Sequence, residues 1–430
     1  MPGEIVSVML TPNIRNTVEA VWRMESAKII AKLARMLRDV GLAEELAQDA
    51  MVTALEQWPV SGVPINPGAW LMVTAKNRAL DQLRRFKLLQ RKHQTIANDA
   101  ELLLPTAASP EEESDSDVGD DLLRLIFIAC HPVLSTEARV ALTLRLLGGL
   151  NTAEIARAFL QTEPTIAQRI VRAKRALAEA HIPFEMPRTE ELATRLASVL
   201  EVIYLIFNEG YAATAGEEWM RPSLCEEALR LGRILAELAP REPEVHGLIA
   251  LMEIQASRAA ARVGPAGQPI LLLEQDRARW DQLLIRRGLA ALERAEALGG
   301  ALGPYALQAA VAACHARARS GAETDWVRIV ALYDALAQLA PSPVVDLNRA
   351  VAVSMAFGPG AGLEIVDELN SDSRLSAYHL LPSVRGDLLE KLGRFEEART
   401  EFTRAAALSQ NARERALLLG RAASCGVTAH

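Results

Sequence analysis

Apolar residues in this chain recur at three- and four-residue intervals almost throughout, and that spacing admits one class of architecture. Between Val18 and Leu37 they fall at Val18, Val21, Trp22, Ile29, Ile30, Leu33, Met36 and Leu37, and Gly41 closes the segment. Between Ala43 and Trp58, the residues Leu46, Ala47, Ala50, Met51, Ala54 and Leu55 share one side, with Pro59 and the turn from Gly62 to Pro64 as the stop. A third segment opens on Asn66-Pro67, an N-cap followed by proline at the first helical position. It runs from Gly68 to about Leu88 and buries Leu71, Ala75, Ala79, Leu80 and Leu83. Strands would alternate with period two, whereas spacings of three and four put residues on one helix face. From Thr189 onward the same pattern continues in pairs of segments broken by Gly and Pro turns. Aromatic residues make up only 4% of the 430, while Ala, Leu and Arg abound. That balance favours helix over sheet, and the expected fold is all-α.

The middle of the chain is punctuated differently. From Asp99 to Asp121 there are nine acidic residues and no basic one, more than the whole net charge of −7. With Pro105, Pro110 and clusters of Ser, Asp and Gly, residues 93–120 read as a solvated linker. Beyond it, segments at Asp121 to His131 and Ser135 to Leu147 precede a Gly148-Gly149 break. Asn151-Thr152-Ala153-Glu154 is a capping-box start for a short helix to Phe159. Leu160 to Thr162 turns, and Pro164 opens a further helix to about Ala180. A short helix, a tight turn and a second helix make a helix-turn-helix. The later pairs carry tetratricopeptide-like spacings, at Gly386, Ala398, Phe402 and Ala405, at Ala228, Gly232, Leu235 and Pro240, and at Gly288, Leu292 and Ala295. A helical, TPR-like solenoid is expected there.

Several chemistries find no support in the residues. The cysteines, Cys130, Cys225, Cys314 and Cys425, are far apart and form neither a disulfide framework nor a zinc cluster. The glycines from Gly358 to Gly362 lack the Lys-Ser/Thr of a phosphate loop. No catalytic spacing emerges, so no enzyme, no metal and no cofactor is expected. Met1 to Arg15 shows no signal peptide, and no apolar run reaches the ~20 residues of a membrane span. A cytoplasmic location follows as the expectation.

Two stretches are strongly basic. Lys76, Arg78, Arg84, Arg85, Lys87, Arg91 and Lys92 face a single acid, Asp81, on a helix that also carries Trp70 and Asn77. Cations neutralise phosphates, while aromatics and amides stack on or bond to exposed bases. Thr165 to Arg175 holds Arg169, Arg172, Lys174 and Arg175 with no acid. As the second helix of the helix-turn-helix, it would put Gln168 and Arg169 near base edges and Arg172, Lys174 and Arg175 near phosphates. Taken singly, each stretch also reads as a solvated face. A helical scaffold with an incidental helix-turn-helix stays open on these grounds.

Together these residues resemble an extracytoplasmic-function sigma factor of the sigma-70 family. Ala43 to Asp49 followed by Ala54 to Trp58 resembles region 2.2, and Asn66 to Leu71 with Ala75 to Arg85 resembles regions 2.3 and 2.4. Leu150 to Ala156 and Thr165 to Arg175 resemble region 4.2, with Ala167 where the family usually has a basic residue. The resemblance implies four parts: sigma region 2 at 1–92, the linker at 93–120, sigma region 4 at 121–185, and a TPR-like extension at 186–430. It implies core RNA polymerase as a partner, its β′ clamp helices gripped by Glu45, Gln48, Asp49, Gln57 and Trp58. It implies promoter DNA as the other, with Trp70, Lys76, Asn77, Arg78, Arg84 and Arg85 at the −10 element. Thr165, Gln168, Arg169, Arg172, Lys174 and Arg175 would meet the −35 element. The stretches from Tyr204 to Tyr211 and from Leu273 to Asp281 resemble a subgroup with a long extension, which would support or control activity and offer a surface to a protein partner. About 28 residues from His93 to Asp120 reach ~90–100 Å when extended, enough to span two to three DNA turns of ~34 Å each.

Overall fold

The structure is a computed structural model that describes residues 5–94, 115–265 and 267–427. The centre of the acidic stretch therefore lies outside the described residues. Eighteen α-helices and two two-residue strands make up the regular structure among those described. They gather into two compact units, Met1–Val202 and Ile203–His430.

The first unit begins with α1 (Ile5–Leu37), α2 (Val40–Ser61) and α3 (Pro67–Gln94). Asp39 caps α2 by accepting from Leu42 N at 3.0 Å, and Asn66 caps α3 by accepting from Ala69 N at 3.0 Å. Pro59 does not end α2 as the sequence suggested. It sits in the last turn, where its missing N–H removes one helical bond, and Gly62 closes the helix with φ +81°. Leu71, Ala75 and Ala79 of α3 are fully buried, whereas Leu80, expected beside them, is exposed.

Next come α4 (Asp115–Ala129), α5 (Thr136–Leu146), α6 (Thr152–Ala158), α7 (Glu163–Glu179) and α8 (Thr189–Tyr211). Helix α4 starts six residues before the expected Asp121, inside the stretch read as linker. Leu122, Leu125 and Ile126 are buried, and the helix packs on α1. Ser135 caps α5, and Asn151 with Glu154 forms the full capping box of α6, as the sequence indicated. The first half of α8 belongs to the first unit. Ser198 donates to Cys130 O at 2.7 Å, Arg195 to Phe127 O at 2.7 Å, and Arg139 pairs with Glu201 at 3.1 Å.

The second unit continues through β1 (Ala215–Gly216), α9 (Pro222–Leu238), α10 (Pro243–Ala256), α11 (Gln282–Ala297), α12 (Pro304–Arg317) and α13 (Trp326–Leu339). It ends with α14 (Pro343–Phe357), α15 (Pro359–Leu369), α16 (Leu380–Lys391), α17 (Phe395–Leu408), β2 (Gln410–Asn411) and α18 (Ala412–Val427). Five of its helices start with proline in the first turn, where the missing donor costs nothing. From α9 to α18 each helix packs on the next, a solenoid of helical pairs. The tetratricopeptide-like glycines mark close helix approaches. A Cβ on Gly386 would lie 2.9 Å from the Phe402 ring, and one on Gly288 2.6 Å from the Ile254 side chain.

The end of this unit returns to its beginning. Strands β1 and β2 pair in parallel, and the fully buried Asn411 donates to Ala213 O at 3.1 Å and Glu218 O at 2.8 Å. The loop from 257 to 281 is held by arginines on aromatic faces. Arg258 lies 5.7 Å from the Tyr211 ring and 5.8 Å from the Trp280 ring, so the two stretches singled out in the extension meet at one guanidinium. Glu209 pairs with Arg221 and accepts from Thr214 at 2.9 Å, locking the end of α8.

Gly386→Ala forces the Phe402 ring to move, and we expect a loss of about 1–3 kcal/mol, read by denaturant unfolding. His315 is buried, and desolvation first, then the charges of Arg258 and Arg277, lower its pKa to about 4. Its folded pKa lies below its unfolded one, so the unfolded chain binds the extra proton between pH 6.5 and 4. Stability contributed by neutral His315 is thus full above pH 6.5 and falls as pH drops toward 4. Melting temperatures of wild type and His315→Gln should diverge less at pH 5 than at pH 7.5.

Candidate nucleic-acid interface

Helix α3 carries the first basic surface. Its apolar face is buried on α1 and α2, which turns the opposite face outward. At about 100° per residue, Trp70, Asn77 and Arg84 form one stripe, with Arg78 and Arg85 beside it. Lys76 and Arg78 flank the stripe on opposite sides, each about 100° from Asn77 and each half-buried. Asn77, Arg84 and Arg85 are exposed. Arg78 reaches back to α2, donating to Thr53 Oγ1 at 2.7 Å and pairing with Asp49 at 3.4 Å. Arg84 pairs with Asp81 at 3.2 Å.

Trp70 is half-buried and meets Trp58 edge-on, with ring centroids 5.5 Å apart and planes at 68°. Trp58 itself, which the resemblance counts among the polymerase-binding residues, has no exposed surface. It supports α3 from beneath instead. Glu45, Asp49 and Gln57 are exposed on α2, and Gln48 is half-buried with its amide donating to Glu44. Val60 in the last turn of α2 and Ile65 in the loop before α3 are almost wholly exposed, and Val63 of that loop partly so. The sequence reading passed over this loop as a turn. Its signal was three apolar residues in a segment with no helix face to bury them.

Helix α7 carries the second basic surface. Thr162 caps it, accepting from Thr165 N at 3.3 Å, and Pro164 fills the first turn. Ile166, Ile170, Ala173 and Leu177 are buried at the spacing of one face. Thr165, Gln168, Arg172 and Arg175 are exposed, and Arg175 pairs with Glu179 at 2.7 Å. A cleft of about 430 Å³ between α7 and the start of α5 is lined by Ser135, Glu137, Thr165, Gln168, Arg169 and Arg172. Backbone hydrogen bonding, then the Ser135 hydroxyl, hold the Glu137 carboxyl below its ordinary pKa, and Arg169 adds to the effect. Lys174 points the other way and pairs with Glu44 of α2.

Among the described residues no three His, Cys, Asp or Glu side chains are placed to hold a metal ion. Cys130 lies against Thr143 Oγ1 at 3.4 Å, and burial pushes its thiol up to about 11. Its neighbour His131 accepts from Val133 N at 3.1 Å. Nor is any described helix long and apolar enough to cross a membrane.

Residues 22–87, which hold α2 and most of the described α3, match Sigma-70 region 2, and residues 124–177, which hold α5 to α7, match Sigma-70, region 4. The chain belongs to the sigma-70 family. Within it, the chain is of the extracytoplasmic-function type and carries out a sigma factor role. The probable sigma factor SigI of Mycobacterium tuberculosis is 28% identical over 41% of this chain and 60% of its own length. SigL of the same species is 26% identical over 36% of this chain and 82% of its own. The uncharacterized protein R00370 of Rhizobium meliloti is 46% identical over 90% of both chains, so it shares the extension as well as the sigma regions. Residues 195–296 of this sigma factor match a family of unknown function, DUF6596. Yeast Tom70 overlays with a TM-score of 0.32 and 12% identity, covering 98% of this chain and 88% of that one, too weak a likeness to carry an argument.

The burial of Trp58 separates a structural from a surface role within region 2. Trp58→Ala should cost about 3–5 kcal/mol of stability by cavity formation. Gln57→Ala, one residue away and exposed, should stay within about 0.5 kcal/mol. Denaturant unfolding of both variants checks the contrast.

Proposed function

We propose that this sigma factor binds core RNA polymerase through α2 and directs promoter recognition and opening through α3 and α7. The observation that carries the reading is the pair of basic helices, each seated on its own apolar face, in the chain order of regions 2 and 4. On α2, Glu45, Gln48, Asp49 and Gln57 form the surface for the β′ clamp helices, with Trp58 as its buried support. On α3, the stripe of Trp70, Asn77 and Arg84 with Arg78 and Arg85 faces the −10 element, and Lys76 stands at its margin.

Extruding a base from the stack costs a few kcal/mol. The exposed apolar residues Val60, Val63 and Ile65, at the end of α2 and in the loop that leads to α3, provide surface that an unstacked base can cover. On α7, Thr165, Gln168 and Arg169 face base edges in the upstream major groove, and Arg172 and Arg175 face phosphates. Lys174 joins them only once released from Glu44. The extension supports region 4 through the first half of α8, whose Arg195 and Ser198 hold the backbone at Phe127 and Cys130. A protein partner on the remaining extension is part of the same proposal.

In vitro transcription with bacterial core polymerase over a genomic promoter pool tests the reading, and no specific transcript from the full chain would overturn it. Arg84→Ala and Arg85→Ala should each weaken promoter opening and reduce the salt slope of binding by about 0.7–0.9. Arg169→Ala should alter preference at the upstream element. A fragment ending at Val202 keeps the α8 contacts to region 4, whereas one ending near Pro187 loses them. The shorter fragment should therefore be the less active, and equal activity would remove the support role of α8.

A further inference from the structure

A cleft of about 460 Å³ opens where the end of α8 meets α9, the end of α10 and the start of α11. Small-molecule sites run to roughly 300–1,000 Å³, so the cleft is of that class. It lies within the second unit and within residues 195–296, the stretch that matches a family of unknown function. Met220, Cys225, Leu229, Ala256 and Leu284 make its walls mostly apolar. Cys225 counts as apolar wall, because burial pushes its thiol up to about 12 and keeps it protonated. One wall is fixed by the backbone. A Cβ on Gly210 would lie 2.6 Å from Cys225 N, so only glycine lets α8 and α9 approach this closely.

The charge around the cleft favours an anion. Tyr211 of the lining carries two guanidiniums, with Arg258 donating to its hydroxyl at 2.6 Å and Arg262 to its carbonyl. Neither is paired with a carboxylate among the described residues, and neither is Arg279, which is exposed at the rim. The Arg258 Nε is buried without any acceptor. Two acids also line the cleft. Asp281 is committed to the start of α11, accepting from Leu283 N at 2.8 Å and Leu284 N at 3.1 Å. Glu226 is exposed, so water and salt screen it more than they screen the buried Arg262. An adjoining cleft of about 510 Å³ shares Met220 and Ala260 but sets Glu217 and Glu218 against Arg413, a balance that offers an anion no advantage.

We propose that the first cleft is a binding site for a small carboxylic acid with an apolar body. The body covers Met220, Leu229 and Leu284, and the carboxylate takes Arg279 at the rim. Tyr211 is the last residue of α8, whose first half holds the backbone at Phe127 and Cys130. An occupant therefore touches the helix on which region 4 also leans. The site is independent of the polymerase and promoter surfaces, and binding is measurable without either.

The test uses the full chain with anilinonaphthalene sulfonate, an apolar body with one anionic group, as fluorescent probe. Octanoate should displace the probe at concentrations at least about fivefold below those octanol needs, the margin of an ion pair or more. Octylamine, equal in chain length and opposite in charge, should displace it more weakly than octanol. Arg279→Gln should weaken octanoate about two- to fivefold and leave octanol unchanged. Ala260→Phe, which fills the cleft from an exposed position, should abolish displacement by both. Both variants should keep the helical circular dichroism signal. Octanol or octylamine displacing the probe as well as octanoate overturns the choice of an acid. Loss in Ala260→Phe without any effect of Arg279→Gln overturns Arg279 as the carboxylate's partner. No displacement by octanoate, or displacement unchanged in both variants, overturns the site itself.

Discussion

Helix α1 has no solvent face over residues 29–34, and the first unit is organised by that fact. Ile29, Ile30, Ala31, Leu33 and Ala34 are at most 1% exposed, and even Lys32 among them is buried. A helix with one apolar stripe needs cover on one side, but a helix apolar all round needs it on every side. Helix α1 obtains that cover from α2, α3, α4 and α5 together. Regions 2 and 4 thus share a core built on one helix, and the ion pairs around its edge fix their register. The early start of α4 follows from the same demand, because its apolar residues have α1 to cover.

The sequence made the elements legible wherever the cause was local. Asn66, Ser135, Asn151 with Glu154, and Pro164 announce helix starts through side chains that satisfy backbone donors a few residues away. The face of α7 was equally legible, since Ile166, Ile170, Ala173 and Leu177 leave Gln168, Arg172 and Arg175 outward. What escaped depends on partners distant in sequence. Periodicity puts Lys174 at the edge of the apolar face and Arg172 away from it, but that its partner is Glu44, on another helix, is not written in α7. Trp58 counts by resemblance among the polymerase-binding residues, and only the fold shows it buried, edge-on to Trp70 of the next helix.

The extension handles buried charge differently. Arg262 is 8% exposed and stacks over Tyr211 at 3.5 Å, with Trp219 at 5.5 Å. Arg277 donates to the carbonyls of His315 and Ala318 at 2.5 and 2.7 Å. Burial lowers the pKa of both. Aromatic faces and backbone carbonyls replace carboxylates as their partners, which the weak hydration of a guanidinium permits and that of an ammonium would not. With so few aromatics in the chain, their concentration at Tyr211, Trp219 and Trp280 is the part of the extension that helical periodicity could not explain. Tertiary packing against arginine explains it.

The acidic surplus of the sequence also changes meaning. Asp121, last of the nine acids counted from Asp99, is buried. Burial raises its carboxyl pKa against the pull of Arg35 and Arg124, and it serves as a counter-ion within the α1–α4 contact. Glu44 does the same on α2. Each buried acid is met by two bases, and each takes at least one from the other module. Such pairs add little net stability, but removing one partner leaves a charge stranded and costs several kcal/mol. An apolar contact between α2 and α7 would tolerate sliding by a turn. A buried carboxylate facing Arg145 and Lys174 does not, so charge rather than area sets how α2 stands against α5 and α7.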